Sequence, residues 1–270
     1  MNIEIFDKLW RESSKIDLAT TEKLWDFRAK EFNNMIDNKE KESKVKDSID
    51  FLISENIINK ESSVLDIGCG PGRYSIEFSK VVKEIKGIDI SPNMINYARE
   101  NVKKSNIKNA SFDVVPWEKI DIEVKGWKNK FDLVFVSMCP GIHNKDTLIK
   151  MTEASKGYCF LSGFVTREDK VRDGINNIIS KDKSRKRWGN KIYYGFNILW
   201  NMGIYPKIYY KDVEWNKEMD LEDAIKMHTI SVKEDPKLKN DIEKYLNDIS
   251  QNGIITEYTK AKIGWLIWHV

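Results

Sequence analysis

The feature that most constrains this chain is an apolar run that leads directly into three closely spaced glycines and then into a helical pattern. The segment reads VLDIGCGPGRYSIEF, from Val64 to Phe78. Glycines that follow a buried strand predict a turn with positive φ angles, in which a ligand can approach the backbone closely. The first N–H groups of a helix lack intrahelical partners, so the same turn can bind a polar or anionic group. The segment therefore predicts a ligand site between a strand and a helix.

Downstream of the glycines, short β-branched runs alternate with helical ones. Strands separated by helices of ten or more residues imply right-handed crossovers and a mostly parallel sheet that is covered on both faces. We therefore predict an α/β, doubly wound fold. The predicted strands are residues 64–67, 85–90, 110–115, 133–137 and 158–165, with a later strand near 204–215 and a last apolar run, KIGWLIWHV.

The helical and alternating regions divide the chain into three predicted parts. Residues 1–58 form a helical leader or lid, residues 59–165 form the α/β core, and residues 166–270 form cap helices together with the last strands of the sheet. The sequence shows no internal repeat and no low-complexity linker between these parts. We expect one large domain with attached helical segments.

Composition and charge exclude several classes of protein. The 270 residues are 41% hydrophobic, and 45 basic and 42 acidic residues give a net charge of +3, so no global field attracts nucleic acid or an anionic membrane. No apolar run reaches the roughly 18 residues that a spanning helix needs. Cys69, Cys139 and Cys159 lie far apart and lack metal-ligand spacing. We expect a soluble, cytoplasmic protein without a metal site.

Two acidic residues accompany the glycines. Asp89 closes the next strand, where a carboxylate can accept two hydrogen bonds from ribose hydroxyls. Asp66 stands two residues before Gly68, so the segment reads DxGxGxG and departs from the GxGxxG loop that binds a dinucleotide pyrophosphate. An adenine nucleoside other than a dinucleotide is therefore the expected ligand.

These segments resemble the class I S-adenosylmethionine-dependent methyltransferases. VLDIGCGPGRYSIEFSK is similar to the first motif of that family, GIDISPNMINYARENV to its second, and FDLVFVSM to its fourth strand. The resemblance covers roughly residues 60–165. It implies a Rossmann-like sheet of seven strands, a methyltransferase activity, S-adenosylmethionine as the cofactor and S-adenosylhomocysteine as the product.

The resemblance also implies which residues bind the cofactor. Asp66 and the amides of the glycine loop would hold the methionine end, because an amino acid's ammonium needs a carboxylate. Asp89 would hold the ribose, and Ile90 and Met94 would pack on the adenine. The expected cofactor-binding residues are Asp66, Gly68, Cys69, Gly70, Gly72, Asp89, Ile90, Met94, Val115, Trp117 and Ser137.

The adenine contact departs from the family pattern. After the third strand the family commonly has an acid that bonds the adenine amino group, whereas this chain has Pro116 there. Asp113, Glu118 or the backbone around Trp117 could substitute. Trp117 could also stack on the ring, or it could be a core residue that caps the sheet; the sequence leaves both interpretations open.

The loop SMCPGIHN follows the fourth strand, where ligands bind in open α/β sheets. His143 is the candidate general base, although it could instead cap the helix that begins near Asn144. Cys139 is interpreted as a small packed thiol rather than a nucleophile, since its order with Pro140 is the reverse of the Pro-Cys pair of cytosine-5 methyltransferases. The loop lacks the Asn/Asp-Pro-Pro-Tyr signature, which disfavours nucleobase amino groups as acceptors.

The flanking segments supply candidate acceptor contacts. Trp25, Arg28 and Phe32 share one helical face, which predicts either a lid over the cofactor or an amphipathic helix packed on the sheet. Ile192, Phe196, Leu199 and Trp200 share another face, predicted to be core. The basic run at 181–191 is interpreted as a solvated helix start, with RNA or an anionic small molecule as alternatives. The expected substrate and lid residues are Trp25, Arg28, Tyr74, Met138 and Tyr194.

The predicted function is methyl transfer to a small-molecule acceptor by a monomer or homodimer, without nucleic acid or membrane partners. Three alternatives remain: an RNA or protein methyltransferase, an NAD(P)-dependent oxidoreductase, and a protein that binds S-adenosylmethionine without catalysis. The acceptor atom does not follow from the sequence.

Overall fold

A computed structural model describes residues 3–14, 17–36, 39–179, 190–232 and 234–270. Three helices precede the first strand, and the second of them begins at a clear cap, because Asp17 accepts the backbone N–H of Thr20 at 2.8 Å. The three are α1 (Ile3–Ser13), α2 (Leu18–Asn33) and α3 (Lys39–Ser54).

Strands and helices then alternate as the sequence predicts. Both faces of β1 are buried, which explains why it reads as a continuous apolar run rather than an alternating one. The elements are β1 (Ser63–Ile67), α4 (Arg73–Ser79), β2 (Glu84–Asp89), α5 (Pro92–Lys104), β3 (Ala110–Val114), β4 (Phe131–Val136), α6 (Lys145–Ala154) and β5 (Ser155–Asp169).

The remaining elements are mostly helical, with two long strands between them. The second strand contains the last apolar run of the sequence. They are α7 (Lys170–Ile179), α8 (Asn190–Asn201), β6 (Lys207–Asp220), α9 (Leu221–Thr229), α10 (Pro236–Ile249) and β7 (Ile254–His269).

All seven strands form one sheet in the order β3-β2-β1-β4-β5-β7-β6. The pairs β2–β3, β1–β2, β1–β4 and β4–β5 are parallel, so the predicted doubly wound, mostly parallel sheet is confirmed. Strand order reverses at β1, which lies between β2 and β4. In open α/β sheets a ligand binds beyond the carboxyl ends of the strands at such a point, and the glycine loop follows β1 there.

Aromatic side chains fill the core beside the central strands. Phe135 of β4 stacks on Phe160 of β5 with ring centroids 4.6 Å apart, and Phe78 of α4 meets Phe135 edge to face at 5.0 Å. All three rings are almost fully buried. Such packing fixes the strands that carry the loops described below.

The first helix is attached to the start of α6. Asp7 is buried, and its carboxylate accepts the backbone N–H of Lys145 at 2.7 Å and the Nε–H of Arg11 at 2.8 Å. Because the first N–H groups of a helix lack intrahelical acceptors, Asp7 satisfies one of them and places a negative charge at the positive end of α6. Phe6 and Trp10 bury the apolar side of the same helix.

The chain divides into two compact units. One comprises Met1–Gly163, Lys191–Tyr209 and Trp265–Val270, and the other comprises Phe164–Asn190 and Tyr210–Gly264. Inside the second unit, an apolar cluster is formed by Val171, Ile175, Ala224, Ile242, Leu246 and Ile255. That unit also buries Glu257, which His228 contacts at 3.0 Å, and the pKa of Glu257 falls to about 2 because this hydrogen bond and nearby cations outweigh the desolvation that raises it.

The prediction that one face of α8 belongs to the core is wrong at Trp200. Ile192 and Leu199 are buried, but Trp200 is 52% exposed. Trp200 stacks on Phe196 at 5.4 Å and meets Tyr205 edge to face at 4.9 Å, so aromatic neighbours rather than the core cover part of its ring.

Two further expectations concern the basic run and the absence of a membrane-spanning helix. Nearly all of the basic run at 181–191 lies outside the described residues, and only its last residue, Lys191, has a described side chain. None of the helices within the described ranges is both long and apolar enough to cross a bilayer.

Candidate functional site

The turn after β1 has the predicted backbone geometry. Gly68, Gly70 and Gly72 have φ angles of +73°, +55° and +86°. The N–H groups of Gly68 and Cys69 both donate to the carbonyl of Ile88 on β2, at 2.8 and 3.0 Å, which fixes the turn against the neighbouring strand. These positive φ angles are unfavourable for side chains with a Cβ, so the glycines are required for the turn itself.

The three glycines differ in what surrounds them. A Cβ on Gly68 would lie 2.3 Å from the Sγ of Cys139, and one on Gly72 would lie 3.3 Å from the Cβ of Ala98. A Cβ on Gly70 would meet only the Sδ of Met94, at 3.8 Å. Gly68 and Gly72 therefore permit close protein packing, whereas Gly70 adjoins space in which a ligand can reach the backbone.

Asp89 lies at the end of β2 and is bonded to that turn. Its Oδ2 accepts the N–H of Gly70 at 3.0 Å, and its Oδ1 accepts the N–H of Ser91 at 2.9 Å. An ionised carboxylate has about four acceptor positions, so two remain for ribose hydroxyls. Burial raises the pKa of Asp89 to about 6, while the backbone hydrogen bonds oppose that shift.

Asp66 is the second carboxylate beside the turn. It is 2% exposed, and its Oδ2 accepts a hydrogen bond from the hydroxyl of Ser75 at 2.8 Å. Burial raises its pKa to about 7, the negative charge of Asp89 adds to the increase, and the bond from Ser75 opposes it. Both carboxylates thus lose hydration when the chain folds.

Neither carboxylate has a basic partner in the part of the chain that the structure describes. Ion pairs there join other acids to lysine, arginine or histidine, but none includes Asp66 or Asp89. Buried charges are usually paired. The cofactor corner, formed by Asp66, Asp89 and the glycine turn, therefore favours a ligand that carries positive charge. An ammonium and a sulfonium fit this requirement, and a pyrophosphate does not.

Helix α2 is tied to the same corner by a residue that the sequence did not reveal. Asp26 accepts the N–H of Asn93 at 3.1 Å and the hydroxyl of Ser91, the residue that caps α5. The two segments are 65 residues apart at Ser91, and no local pattern marks Asp26 as a contact. The bond places α2 beside the strand end that carries Asp89.

The predicted aromatic face of α2 is assembled around an arginine. The guanidinium of Arg28 lies 5.3 Å from the ring centroid of Trp25 and 4.8 Å from that of Phe32. Arg28 also pairs with Glu31 at 3.2 Å. All of these side chains are half-buried, so they form an ordered surface without being core residues.

The loop after β4 packs directly on the glycine turn. Met138 has a φ of +57°, unusual for a residue with a side chain, and its N–H donates to the hydroxyl of Ser162 at 3.0 Å. That hydroxyl also lies 3.4 Å from the hydroxyl of Ser137. Burial raises the pKa of Cys139, which contacts Gly68, to about 12, in keeping with its interpretation as a packed thiol.

His143 lies in this loop, and its ring nitrogen Nδ1 is buried. Its Nδ1 is 3.5 Å from the Oε1 of Glu118, too far for a hydrogen bond, and Nδ1 has no hydrogen-bond partner among the described residues. Burial lowers its pKa, so the ring is neutral near pH 7. The cap of α6 is Asn144, which forms a capping box with Thr147, so the helix-cap interpretation of His143 is not needed.

The contacts of Trp117 favour the core interpretation over stacking on adenine. Trp117 is 2% exposed, and its indole N–H donates to the carbonyl of Thr147 at 3.1 Å. The ammonium of Lys150 lies 4.8 Å from its ring centroid. The backbone of Val115 remains next to the cofactor corner, because its N–H donates to the carbonyl of Asp89 at 2.8 Å.

The other predicted residues are distributed around the turn. Met94 is buried and Ile90 is half-buried at the start of α5, and the side chain of Cys69 lies in an apolar cluster with Ile95 and Phe112. Two predicted substrate residues pack on aromatic neighbours: Tyr74 on Phe135 at 4.8 Å and Tyr194 on Trp10 at 6.3 Å.

Lys191 is a site residue that the sequence analysis missed. It lies in the first turn of α8, and its ammonium donates to the backbone carbonyl of Cys139. Burial lowers the pKa of Lys191 to about 8. In the sequence, Lys191 belongs to a basic run that was interpreted as a solvated helix start.

The sheet order, the glycine turn and the carboxylate at the end of β2 define the class I S-adenosylmethionine-dependent methyltransferase fold. The sequence model of a family described as a methyltransferase domain matches residues 58–198 of the 270 residues, so the chain belongs to that methyltransferase family. The resemblance inferred from the motifs is therefore confirmed, and the cofactor of this class is S-adenosylmethionine.

Three known proteins illustrate how far the similarity extends. The YcgJ protein of Bacillus subtilis has 18% identity and a TM-score of 0.51, with 82% of this chain and 98% of that chain covered, which shows a shared fold. Ribosomal protein L11 methyltransferase of Thermotoga maritima is 31% identical over 52% of each protein. A 23S rRNA (uracil-C5)-methyltransferase of Shewanella sediminis is 33% identical over 34% of this chain and 20% of its own length. The chain thus spans about half or less of the length of the two curated methyltransferases.

The raised pKa of Asp66 predicts how stability depends on pH. Its pKa rises from 3.8 in the unfolded chain to about 7 in the folded protein, so between these values the unfolded state loses its proton first. This group therefore stabilises the fold fully below pH 3.8, and that contribution is lost as the pH rises towards 7. We expect Asp66→Asn to flatten the decline in unfolding free energy over this range, as measured by urea unfolding without cofactor.

Asp132→Asn is the control for the direction in which stability changes with pH. Hydrogen bonds from Ser63 and Lys156 lower the pKa of Asp132 although burial opposes them, so its contribution is present above the unfolded pKa and lost in acid. Unchanged pH dependence in Asp66→Asn would contradict the assignment of a buried, ionising carboxyl at Asp66.

Proposed function

We propose that this chain transfers a methyl group from S-adenosylmethionine to a small-molecule acceptor. The observation that carries the proposal is the pair of carboxylates that flank the glycine turn, the buried Asp66 and the half-buried Asp89, which have no basic partner among the described residues. A cationic adenine nucleoside supplies both the ribose hydroxyls and the positive charge that this corner needs. A nicotinamide dinucleotide would instead bring two negative phosphates towards two carboxylates.

The residues divide the work of binding the cofactor. Asp89 accepts from the ribose, Asp66 balances the ammonium of the methionine end, and the backbone at Gly70 adjoins the ligand. When bound, S-adenosylmethionine supplies a methyl group attached to a cationic sulfur, and that sulfur is the leaving group of an in-line displacement. The protein contributes alignment and exclusion of water, for which α2, fixed by Asp26, is the proposed cover.

A general base is needed only if the acceptor loses a proton during transfer. His143 is the candidate for that role because its ring is neutral near pH 7. Its Nδ1 is buried and has no hydrogen-bond partner within the described residues, so the nitrogen proposed to take the proton is Nε2. Cys139 does not fit a covalent role, since burial raises the pKa of its thiol to about 12. We therefore propose direct displacement rather than a covalent enzyme intermediate.

The proposal predicts a specific stabilisation by the product. S-adenosylhomocysteine at about 100 times its dissociation constant should add about 2.7 kcal/mol to the free energy of unfolding. Urea unfolding with and without the ligand measures this increase, and NAD at the same concentration serves as the control. Stabilisation by NAD and none by S-adenosylhomocysteine would favour an oxidoreductase and overturn the proposal.

RNA or protein is the second candidate acceptor class, and the curated relatives favour it. One is an rRNA methyltransferase and another methylates ribosomal protein L11, although each matches only part of its length. The near-neutral charge of the chain gives RNA no broad attraction. Retention on RNA that falls steeply with salt, together with methyl transfer to RNA but not to small metabolites, would select this alternative.

A further inference from the structure

We propose that Lys191 binds an anionic oxygen group of the methyl acceptor, so that the acceptor is a small carboxylate or phosphate. This inference rests on the proposed function, because it assumes that an acceptor binds beside the glycine turn. It adds the charge of the acceptor, which neither the motifs nor the relatives specify.

The position of Lys191 connects it to the cofactor corner. Its ammonium donates to the carbonyl of Cys139, and the Sγ of Cys139 occupies the space where Gly68 lacks a side chain. Cys139 therefore links Lys191 to the glycine turn that adjoins the cofactor. It also influences the neighbouring candidate base, because its positive charge contributes to the lowered pKa of His143.

The fold makes room for this lysine. A Cβ on Gly163 of β5 would lie 3.3 Å from the Cδ of Lys191 and 3.5 Å from the Cγ1 of Ile192. Gly163 does not have a positive φ, so its backbone conformation does not require glycine. Instead, the missing side chain lets the aliphatic stem of Lys191 cross the strand towards the loop after β4.

The ammonium has more donors than the protein satisfies. A lysine ammonium has three N–H donors, and the described residues supply one acceptor, the carbonyl of Cys139. No described carboxylate forms an ion pair with Lys191, in contrast to surface lysines such as Lys128, which pairs with Glu123. A partly buried cation in this state favours an anionic partner.

Charge complementarity assigns that partner to the acceptor. The sulfonium and the ammonium of the cofactor are repelled by a second cation, and its one carboxylate is assigned here to the backbone amides of the glycine loop, which leaves Lys191 without an anion from the cofactor. Asp66 and Asp89 are assigned to the cofactor, and Lys191 contacts the backbone of Cys139, whose Sγ packs against Gly68. An anionic acceptor pairs with the lysine and is drawn towards the sulfonium, whereas a neutral acceptor leaves the ammonium without an anion.

Site-specific acetylation tests this inference. In the complex with saturating S-adenosylhomocysteine, the rate at which N-hydroxysuccinimidyl acetate modifies Lys191 is measured by peptide mass mapping. We expect benzoate or inorganic phosphate to slow that rate by about fivefold or more and benzamide, the neutral counterpart of benzoate, to leave it unchanged. Lys125, an exposed lysine in the same unit, is the internal control and should not respond.

Matched variants separate charge from structure. Lys191→Met keeps the aliphatic stem over Gly163 and should weaken binding of the protecting anion by about tenfold or more in calorimetry, whereas Lys191→Arg should retain most of the affinity. Both variants should bind S-adenosylhomocysteine within about threefold of the parent, because the carboxylate of that ligand is assigned to the glycine loop. A tenfold or larger loss in Lys191→Met alone would assign the lysine to that carboxylate and reject the anionic acceptor.

The outcomes distinguish this inference from the function on which it rests. Protection by benzoate alone indicates a carboxylate acceptor, and protection by phosphate alone indicates a phosphorylated one. If S-adenosylhomocysteine binds but neither anion protects Lys191, or if benzamide protects equally, the anionic acceptor is rejected while the cofactor assignment stands. If S-adenosylhomocysteine does not bind at all, both proposals fail.

Discussion

Replacing Asp89 by alanine should weaken the binding of S-adenosylhomocysteine by about 100-fold or more, since hydrogen bonds to a charged group contribute about 1.5–3 kcal/mol each. Two ribose hydroxyls would lose their shared acceptor. The turn would also lose its tie to β2 at Gly70, whose N–H now bonds the carboxylate at 3.0 Å. Isothermal titration calorimetry measures the affinity directly.

Two controls make this result specific. Asp132→Ala removes a carboxylate near the start of β4, where the hydroxyl of Ser63 donates to it at 2.8 Å, and it should leave the affinity nearly unchanged. Asp89→Asn keeps one acceptor oxygen and should give an intermediate loss. Because burial raises the pKa of Asp89 to about 6, the uncharged asparagine should not destabilise the cofactor-free protein at pH 8. An Asp89→Ala variant that binds like the parent would contradict the ribose assignment.

Gly68→Ala should lower the free energy of unfolding by about 2–4 kcal/mol, since overpacking costs about 1–3 kcal/mol and a side chain in the left-handed region adds about 1. The added methyl would lie 2.3 Å from the Sγ and 2.6 Å from the Cβ of Cys139, at a φ of +73°. Relief of this contact requires movement of the loop that carries His143. Urea unfolding of the cofactor-free protein measures the loss.

Gly70→Ala is the matched control, because its φ is also positive but its Cβ would meet only the Sδ of Met94 at 3.8 Å. We expect it to cost only about 1 kcal/mol of stability, yet to reduce cofactor affinity because the methyl enters the space next to the ligand. The two substitutions should therefore separate packing from binding. Equal stability losses in both variants would contradict the role of the Gly68–Cys139 contact.

The sequence predicted the parts of this molecule that depend on local spacing. The alternation of strands and helices along the chain, the positive φ angles at Gly68, Gly70 and Gly72, and the position of Asp89 follow from patterns within about 25 residues, in which backbone geometry and burial leave few alternatives. Trp117 was undecided because its environment depends on a helix that begins 28 residues later, and its bond to Thr147 favours the core interpretation.

Residues whose roles depend on long-range contacts were not predictable in this way. Asp26 meets Ser91 across 65 residues, and Lys191 meets Cys139 across 52. Neither lies in a motif, and Lys191 stood in a run of charges that usually faces solvent. The glycine opposite it, Gly163, was the one available signal, since a glycine without a turn suggests close approach of another group.

The bond between Asp7 and Lys145 also bears on how the chain assembles during translation. The two residues are separated by 138 positions, so at about 5–20 residues per second the ribosome needs on the order of 10 s to complete the partner of the first helix. For that interval Phe6 and Trp10 have no final packing surface. Helix α1 therefore reaches its final packing only after α6 has been translated.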